Sequence, residues 1–266
     1  MKSNAVERDE DVMTDSDSVA ATAATGLRPA AGKERVPFAE RAEQINAVPT
    51  YANWSVFALR QPLPAARAER QRIVADALER LDEDGLTIRG WYDLSAFRAD
   101  ADLLVWWWSE DPLQLQRAVH RLRASDLGRH LAPVWAGMGV HRPAEFNRRH
   151  VPTFLVDPAP KAFLTVYPFV RSYDWYLLPP EERRQLLAEH GRTASEFPEV
   201  RANTLEAFAL GDYEWLLAFE TDQLHRLVDL VRVMRSTRAR QHVREETPFY
   251  TGTRVGLAEW ADRVAG

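Results

Sequence analysis

Two stretches of this chain match each other at a fixed offset of 112 residues, without a gap, and no other feature constrains its fold so tightly. Leu104 falls on Leu216, Trp107 on Phe219, Leu115 on Leu227, Val119 on Val231, Leu122 on Met234, Arg123 on Arg235 and His130 on His242. Self-similarity of this kind marks a duplicated unit, because each copy must bury the same faces against the same neighbours. A chain of 266 residues has room for two such units and a sizeable core.

Within each copy, strand-like and helix-like patterns alternate. Aromatic and β-branched residues gather at 49–60 as in a strand. Residues 65–85 put Ile73, Val74, Ala77, Leu78 and Leu81 at helical spacing, with Gly85 as a stop. Strands are expected at 86–95 and 101–109, then a helix at 111–125 with Pro112 in its first turn, then a strand at 132–140. The second half repeats the order: strand 162–170, helix 179–197, strands 202–210 and 212–220, helix 223–237, strand 247–252. Each unit thus reads βαββαβ, the ferredoxin-like motif. The expected class is α+β, with two ferredoxin-like units joining their strands into an eight-stranded antiparallel sheet. That sheet curls into a dimeric α+β barrel with helices outside. The first half occupies 48–141, a linker 142–160 and the second half 161–266.

Residues 1–47 are rich in Ala, Ser, Asp and Glu and nearly free of large apolar side chains, so they are expected to form a disordered acidic tail. Six acids against Lys2 and Arg8 make the first 17 residues net −4 in a chain whose total is −5. The rest is close to neutral and offers no nucleic-acid surface. There are no cysteines, which excludes disulfides, thiolate metal sites and thiol nucleophiles. No secretory signal and no membrane-spanning run is visible, so the expected location is cytoplasmic.

Glycine-rich phosphate loops, HExxH and GxSxG are missing, so any chemistry has to come from less patterned residues. The segment "YPFVRSYDWY" crowds three tyrosines, Trp175 and Arg171 onto and just beyond one strand. Alternation places Phe163, Thr165, Tyr167 and Phe169 on one face and Leu164, Val166 and Val170 on the other. Tyr167 is then either a packed core ring or a redox-active one. His190 lies on a helix face with Leu186, Leu187, Ala194 and Phe197. An imidazole there is either a satisfied core histidine or an axial ligand to haem-type iron, which needs no second protein ligand beside it. His150, in the polar linker stretch "EFNRRHVPTF", is either solvated or a general base delivered to a barrel mouth. The triplet Trp106, Trp107, Trp108 alternates faces and reads as packing. Arg148, Arg149, Arg171 and Arg244 are candidates for holding carboxylates.

The stretches "RGWYDLSAFRADADLLVWWWSEDP", "GVHRPAEFNRRHVPTF", "YPFVRSYDWYLLPPEERRQLLAEHGR" and "HVREETPFYTG" resemble the coproheme decarboxylases of the chlorite dismutase-like superfamily, most closely the actinobacterial branch. The resemblance spans 50–255. It implies hydrogen peroxide-dependent oxidative decarboxylation of two propionates of iron coproporphyrin III (coproheme) to vinyls, with haem b as product and the porphyrin as substrate and redox cofactor together. It also implies a homopentamer, and a transient contact with the ferrochelatase that supplies coproheme. Carried onto this chain, His190 matches the proximal iron ligand, Tyr167 the radical tyrosine and His150 the distal base toward peroxide. Trp175 matches an aromatic residue beside the reacting propionates, while Arg171 and, more weakly, Arg244 match propionate-binding positions. Where chlorite dismutases carry a distal arginine, "VRANT" places Ala202, with Arg201 next to it and facing the other way on a strand. Two other classes remain open: a chlorite dismutase or haem peroxidase on the same scaffold, and a non-catalytic ferredoxin-like binding protein with His190 and Tyr167 as core.

Overall fold

The computed structural model describes residues 37–147 and 150–265. The segment 1–36, with its expected tail, lies outside the described residues, as do Arg148 and Arg149. The expectation of disorder up to residue 47 fails at its last ten residues, which form helix α1 (Phe38–Ala47). Its sequence carries little apolar surface, so the helix owes its place to docking. Ala42 is buried, Arg41 donates to the carbonyl of Val156 at 2.9 Å, and Asn46 meets His141 at 2.9 Å.

The duplicated unit follows in the expected order. In the first copy, β1 (Thr50–Leu59), α2 (Arg67–Leu81), β2 (Thr87–Asp93), β3 (Leu103–Ser109), α3 (Pro112–Ala124) and β4 (Leu131–His141) come in turn. A linker with the short helix α4 (Thr153–Val156) leads into the second copy. There β5 (Phe163–Arg171), α5 (Pro180–Ala194), β6 (Arg201–Glu206), β7 (Trp215–Thr221) and α6 (Leu224–Met234) precede a short β8 (Val243–Glu245) and then β9 (Tyr250–Val255). The last strand starts three residues later than expected, beyond Pro248, which has no N–H to give a ladder. A closing helix, α7 (Leu257–Val264), was not anticipated.

The strands run β7-β6-β4-β1-β3-β2-β9-β5, and β5 pairs back onto β7, so the eight-stranded sheet closes on itself. Both seams are formed between copies, three residue pairs from Trp91↔Val255 to Asp93↔Thr253 at one and the single pair Val140↔Glu206 at the other. The offset of 112 survives in the hydrogen-bond register. Phe57↔Leu103 recurs as Phe169↔Trp215, and Trp54↔Trp106 as Val166↔Ala218. Arg60 N donates to His130 O at 3.0 Å, and Ser172 N to His242 O at 3.1 Å. Even the two alanines with positive φ, Ala96 at 67° and Ala209 at 61°, occupy corresponding turns, one inserted residue apart.

Alternation along the strands sorts the core into three layers. Trp54, Tyr92, Leu104, Trp106, Leu164, Val166, Leu216 and Ala218 fill the barrel interior, plugged by Phe154 of α4. Trp107 turns outward with Phe57 and Val105, under α2, α3 and α7. Tyr167 and Phe219 turn outward on the second copy, under Phe197, Leu227 and Leu230. The tryptophan triplet therefore packs two different layers, as its alternation requires. Among the described residues, no helix is long and apolar enough to cross a membrane.

Candidate active site

The outer face of the second copy differs from that of the first. On the first, α7 is pressed against the sheet, with Trp260 wholly buried. On the second no such helix intervenes among the described residues, and most of the residues singled out from the sequence converge there. Tyr167 stacks on Phe249 with centroids 4.2 Å apart and lies 6.0 Å from Phe219. Its phenol pKa is raised, first by burial and then by the Glu246 carboxylate, while Arg235 and Arg240 act in the opposite direction. Both arginines pair with Glu246 itself. That ion cluster, close enough to act on the tyrosine, was not picked out from the sequence.

His190 projects from α5, one turn before Ala194, which packs against this apolar layer. Burial, and secondly the positive charge of Arg171, pull its pKa down to about 4, so the imidazole is neutral at pH 7. Its Nδ1 is buried with no hydrogen-bond partner. Arg171 lies at the end of β5, its guanidinium 4.1 Å from the ring centre of Trp175 and 4.9 Å from that of Phe169. Burial lowers its pKa to about 10, and its Nε is likewise buried and unpartnered. Trp175 opens a 3₁₀ turn, is 4% exposed and lies 5.4 Å from the ring of His242.

Ala202 on β6 pairs with Phe219 and is exposed on the same face as Tyr167, whereas Arg201 points to the other face. There Arg201 is bound to Asp157 at 2.6 Å and to the carbonyl of Ala159 at 2.9 Å. At this position the face shared with Tyr167 thus presents a methyl group and not a guanidinium.

Two expected residues stand apart. Arg244 is exposed and lies over the ring of Tyr173, itself 78% exposed, at 4.3 Å. His150 has His141 as its electrostatic neighbour, and desolvation lowers its pKa although its side chain reaches solvent. His141 is buried, with a pKa pulled down to about 4 by burial and then by His150.

These residues fit an iron porphyrin. No group of three or more His, Asp or Glu side chains among the described residues could hold a metal, which is compatible with a metal that arrives already held by a porphyrin. A neutral imidazole and a half-buried arginine, each with an orphaned buried nitrogen, suit a porphyrin iron and a carboxylate respectively.

The fold and this site define a haem-type α+β barrel, and residues 67–255 match the family model described as chlorite dismutase. The chain belongs to that family. It is 48% identical over 217 residues to the coproheme decarboxylase of Mycolicibacterium smegmatis, covering 81% of this chain and 94% of the relative. A chlorite dismutase structure from Candidatus Nitrospira defluvii superposes with a TM-score of 0.74 at 21% identity, over 86% of this chain and 100% of that one. The same protein in complex with imidazole gives 0.73 at 20% identity, over the same shares of the two chains.

Proposed function

We propose that this protein is a coproheme decarboxylase, converting two propionates of iron coproporphyrin III to vinyl groups with hydrogen peroxide as oxidant and haem b as product. The observation that carries the reading is the neutral imidazole of His190, its Nδ1 unpartnered, beside the half-buried Arg171, on the face that also holds Tyr167. The 48% identity to a protein of that name supports it. Bound porphyrin supplies the redox centre and the reacting carboxylates; the chain supplies everything else.

His190, being neutral, would hold the porphyrin iron without first losing a proton. Arg171, its guanidinium held over the rings of Trp175 and Phe169, is set to pair with a propionate carboxylate through its fork of N–H groups. Tyr167 gives up its phenolic hydrogen as an electron and a proton, then takes a hydrogen atom from the β-carbon of a propionate. Loss of carbon dioxide and one more electron leaves the vinyl. Each propionate so yields two electrons, which one peroxide accepts to become two waters. The role of His150 as base toward peroxide rests on the sequence resemblance, since what it faces here is His141. Trp175 would line the propionate side, with Arg244 at the exposed rim. Chlorite chemistry finds less support, because Ala202 stands on the pocket face and Arg201 is engaged by Asp157 on the other. A cytoplasmic homopentamer, in transient contact with the ferrochelatase that supplies coproheme, belongs to the same proposal.

The test is to load the protein with iron coproporphyrin III, titrate peroxide and weigh the porphyrin product, for wild type and for Tyr167→Phe. Wild type is expected to lose two carboxyl groups. Tyr167→Phe is expected to bind the porphyrin and yield no divinyl product, phenylalanine having no phenolic hydrogen. Efficient conversion by the variant would return Tyr167 to a packing role, and no conversion by wild type would overturn the whole reading.

A further inference from the structure

A chain of oxidisable residues leaves the face that holds Tyr167 and ends at the surface. Trp215 of β7 lies opposite Phe169 in the ladder, two residues along from Leu217, which faces Tyr167. Its ring stacks on Phe169 with centroids 6.0 Å apart and planes at 12°. The indole Nε1 donates to the hydroxyl of Tyr176 at 3.0 Å, and that hydroxyl donates to Glu214 Oε2 at 2.8 Å. The same carboxylate oxygen accepts the backbone N–H of Arg171 at 2.8 Å, which ties the chain to the residue beside His190. Tyr176 is 42% exposed, flanked by Leu177 at 83% and Phe208 at 45%.

We infer that Tyr176 is a second redox tyrosine, an outlet that carries oxidising equivalents from the porphyrin pocket through Trp215 to small phenolic reductants at the surface. The inference rests on the porphyrin-and-peroxide reading above and goes beyond it. A phenol is oxidised readily only if its proton can leave with the electron. The Glu214 oxygen lies within the 2.6–3.2 Å reach that a general base needs. In each event Tyr176 sends one electron to the pocket by way of Trp215 and its proton to Glu214. The exposed tyrosyl then takes a hydrogen atom from a phenol in solution, and Glu214 releases its proton. Two such events supply the two electrons that reduce one peroxide to two waters, so the oxidant is the peroxide itself. The apolar surroundings of Phe208 and Leu177 offer a flat aromatic donor a place to rest. An outlet of this kind drains equivalents that find no propionate to react with.

The experiment uses full-length protein loaded with iron coproporphyrin III in the Tyr167→Phe background, where productive chemistry is blocked. Peroxide is added with a nitroso spin trap, and adducts are located by peptide mass. The expected result is an adduct on Tyr176 that vanishes in Tyr176→Phe. With Glu214→Gln it should fall about tenfold, as a charge-assisted hydrogen bond becomes a neutral one. A hydroxyl that merely ties a loop down would lower the melting temperature on removal yet never carry trap. Divinyl product from wild type, without any adduct on Tyr176 in the Tyr167→Phe background, overturns the outlet and leaves the decarboxylase reading intact. Absence of product from wild type strikes the parent reading, and the outlet falls with it.

Discussion

His190 shows how little a residue's identity says before its surroundings are known. The same imidazole on the same helix face would be an ordinary core residue if Nδ1 met a carbonyl, but here it meets nothing. His190→Ala is expected to change the absorption spectrum of bound iron coproporphyrin III while shifting stability by no more than about 1 kcal/mol, because no protein hydrogen bond is lost. An unchanged spectrum would remove the ligand assignment. His141 makes a separate prediction about acid. Its folded pKa of about 4 lies below the ordinary 6.5, so the unfolded chain binds the proton first as pH falls. The group costs nothing above pH 6.5 and weakens the fold progressively between 6.5 and 4, by roughly 2–3 kcal/mol in all. The groups facing it are His150 and Asn46. His141→Gln keeps a donor for Asn46 and removes the titration. Urea unfolding at pH 7 and pH 4.5 should therefore show the variant losing less stability than wild type. Equal losses would mean that His141 titrates normally when folded.

At the scale of elements, the strands and paired helices were legible because each repeats a period that one buried face imposes. The terminal helices were not. α1 has few apolar residues and is held by Arg41, Ala42 and Asn46 against partners distant in sequence. α7 is short, and its apolar side shows its purpose only against the groove it fills beside α2. Trp260 is its anchor, fully buried with its indole N–H on the carbonyl of Asp102 at 3.3 Å. Trp260→Ala should cost about 3–5 kcal/mol, the usual price of such a cavity, with Trp260→Phe in between. Thermal melts of both variants measure this; a loss under about 1 kcal/mol would show that the helix contributes little to the first half. The face of the second half that holds His190 and Tyr167 should be left as it is, since α7 packs on the other copy.

Contacts between the two copies join the halves of the barrel, and one of them is a buried ion pair. Arg89 of β2 meets Glu220 of β7 through two hydrogen bonds, at 3.0 and 2.7 Å, with side chains 2% and 0% exposed. The guanidinium also donates to the carbonyl of Asp157 and lies 5.1 Å from the ring centre of Trp106. Glu220→Gln leaves a buried cation without its counter-charge and should cost roughly 3–5 kcal/mol. Replacing both partners, as Arg89→Met with Glu220→Leu, should cost far less than the single changes added together. Denaturant midpoints of the four proteins decide it, and strict additivity would show that the pair does not couple the halves.

The sequence alone determined the duplication, the α+β class and the sorting of side chains between barrel interior and outer faces. All three follow from periodicities of two, 3.6 and 112 residues that the chain carries locally. It also placed Tyr167, His190, Arg171 and Trp175 among the candidates. Their placing on one face was a tertiary decision. The two copies begin with the same plan, and α7 covers the face of one, leaving that of the other to His190 and Tyr167. Tertiary structure likewise brought Glu246 within electrostatic reach of Tyr167, set Glu214 against Tyr176 and turned Arg201 to the opposite face. The physical reason is that an orphaned nitrogen, a depressed pKa or a shared proton depends on what is absent or present within a few ångströms. A sequence specifies those neighbours only by folding.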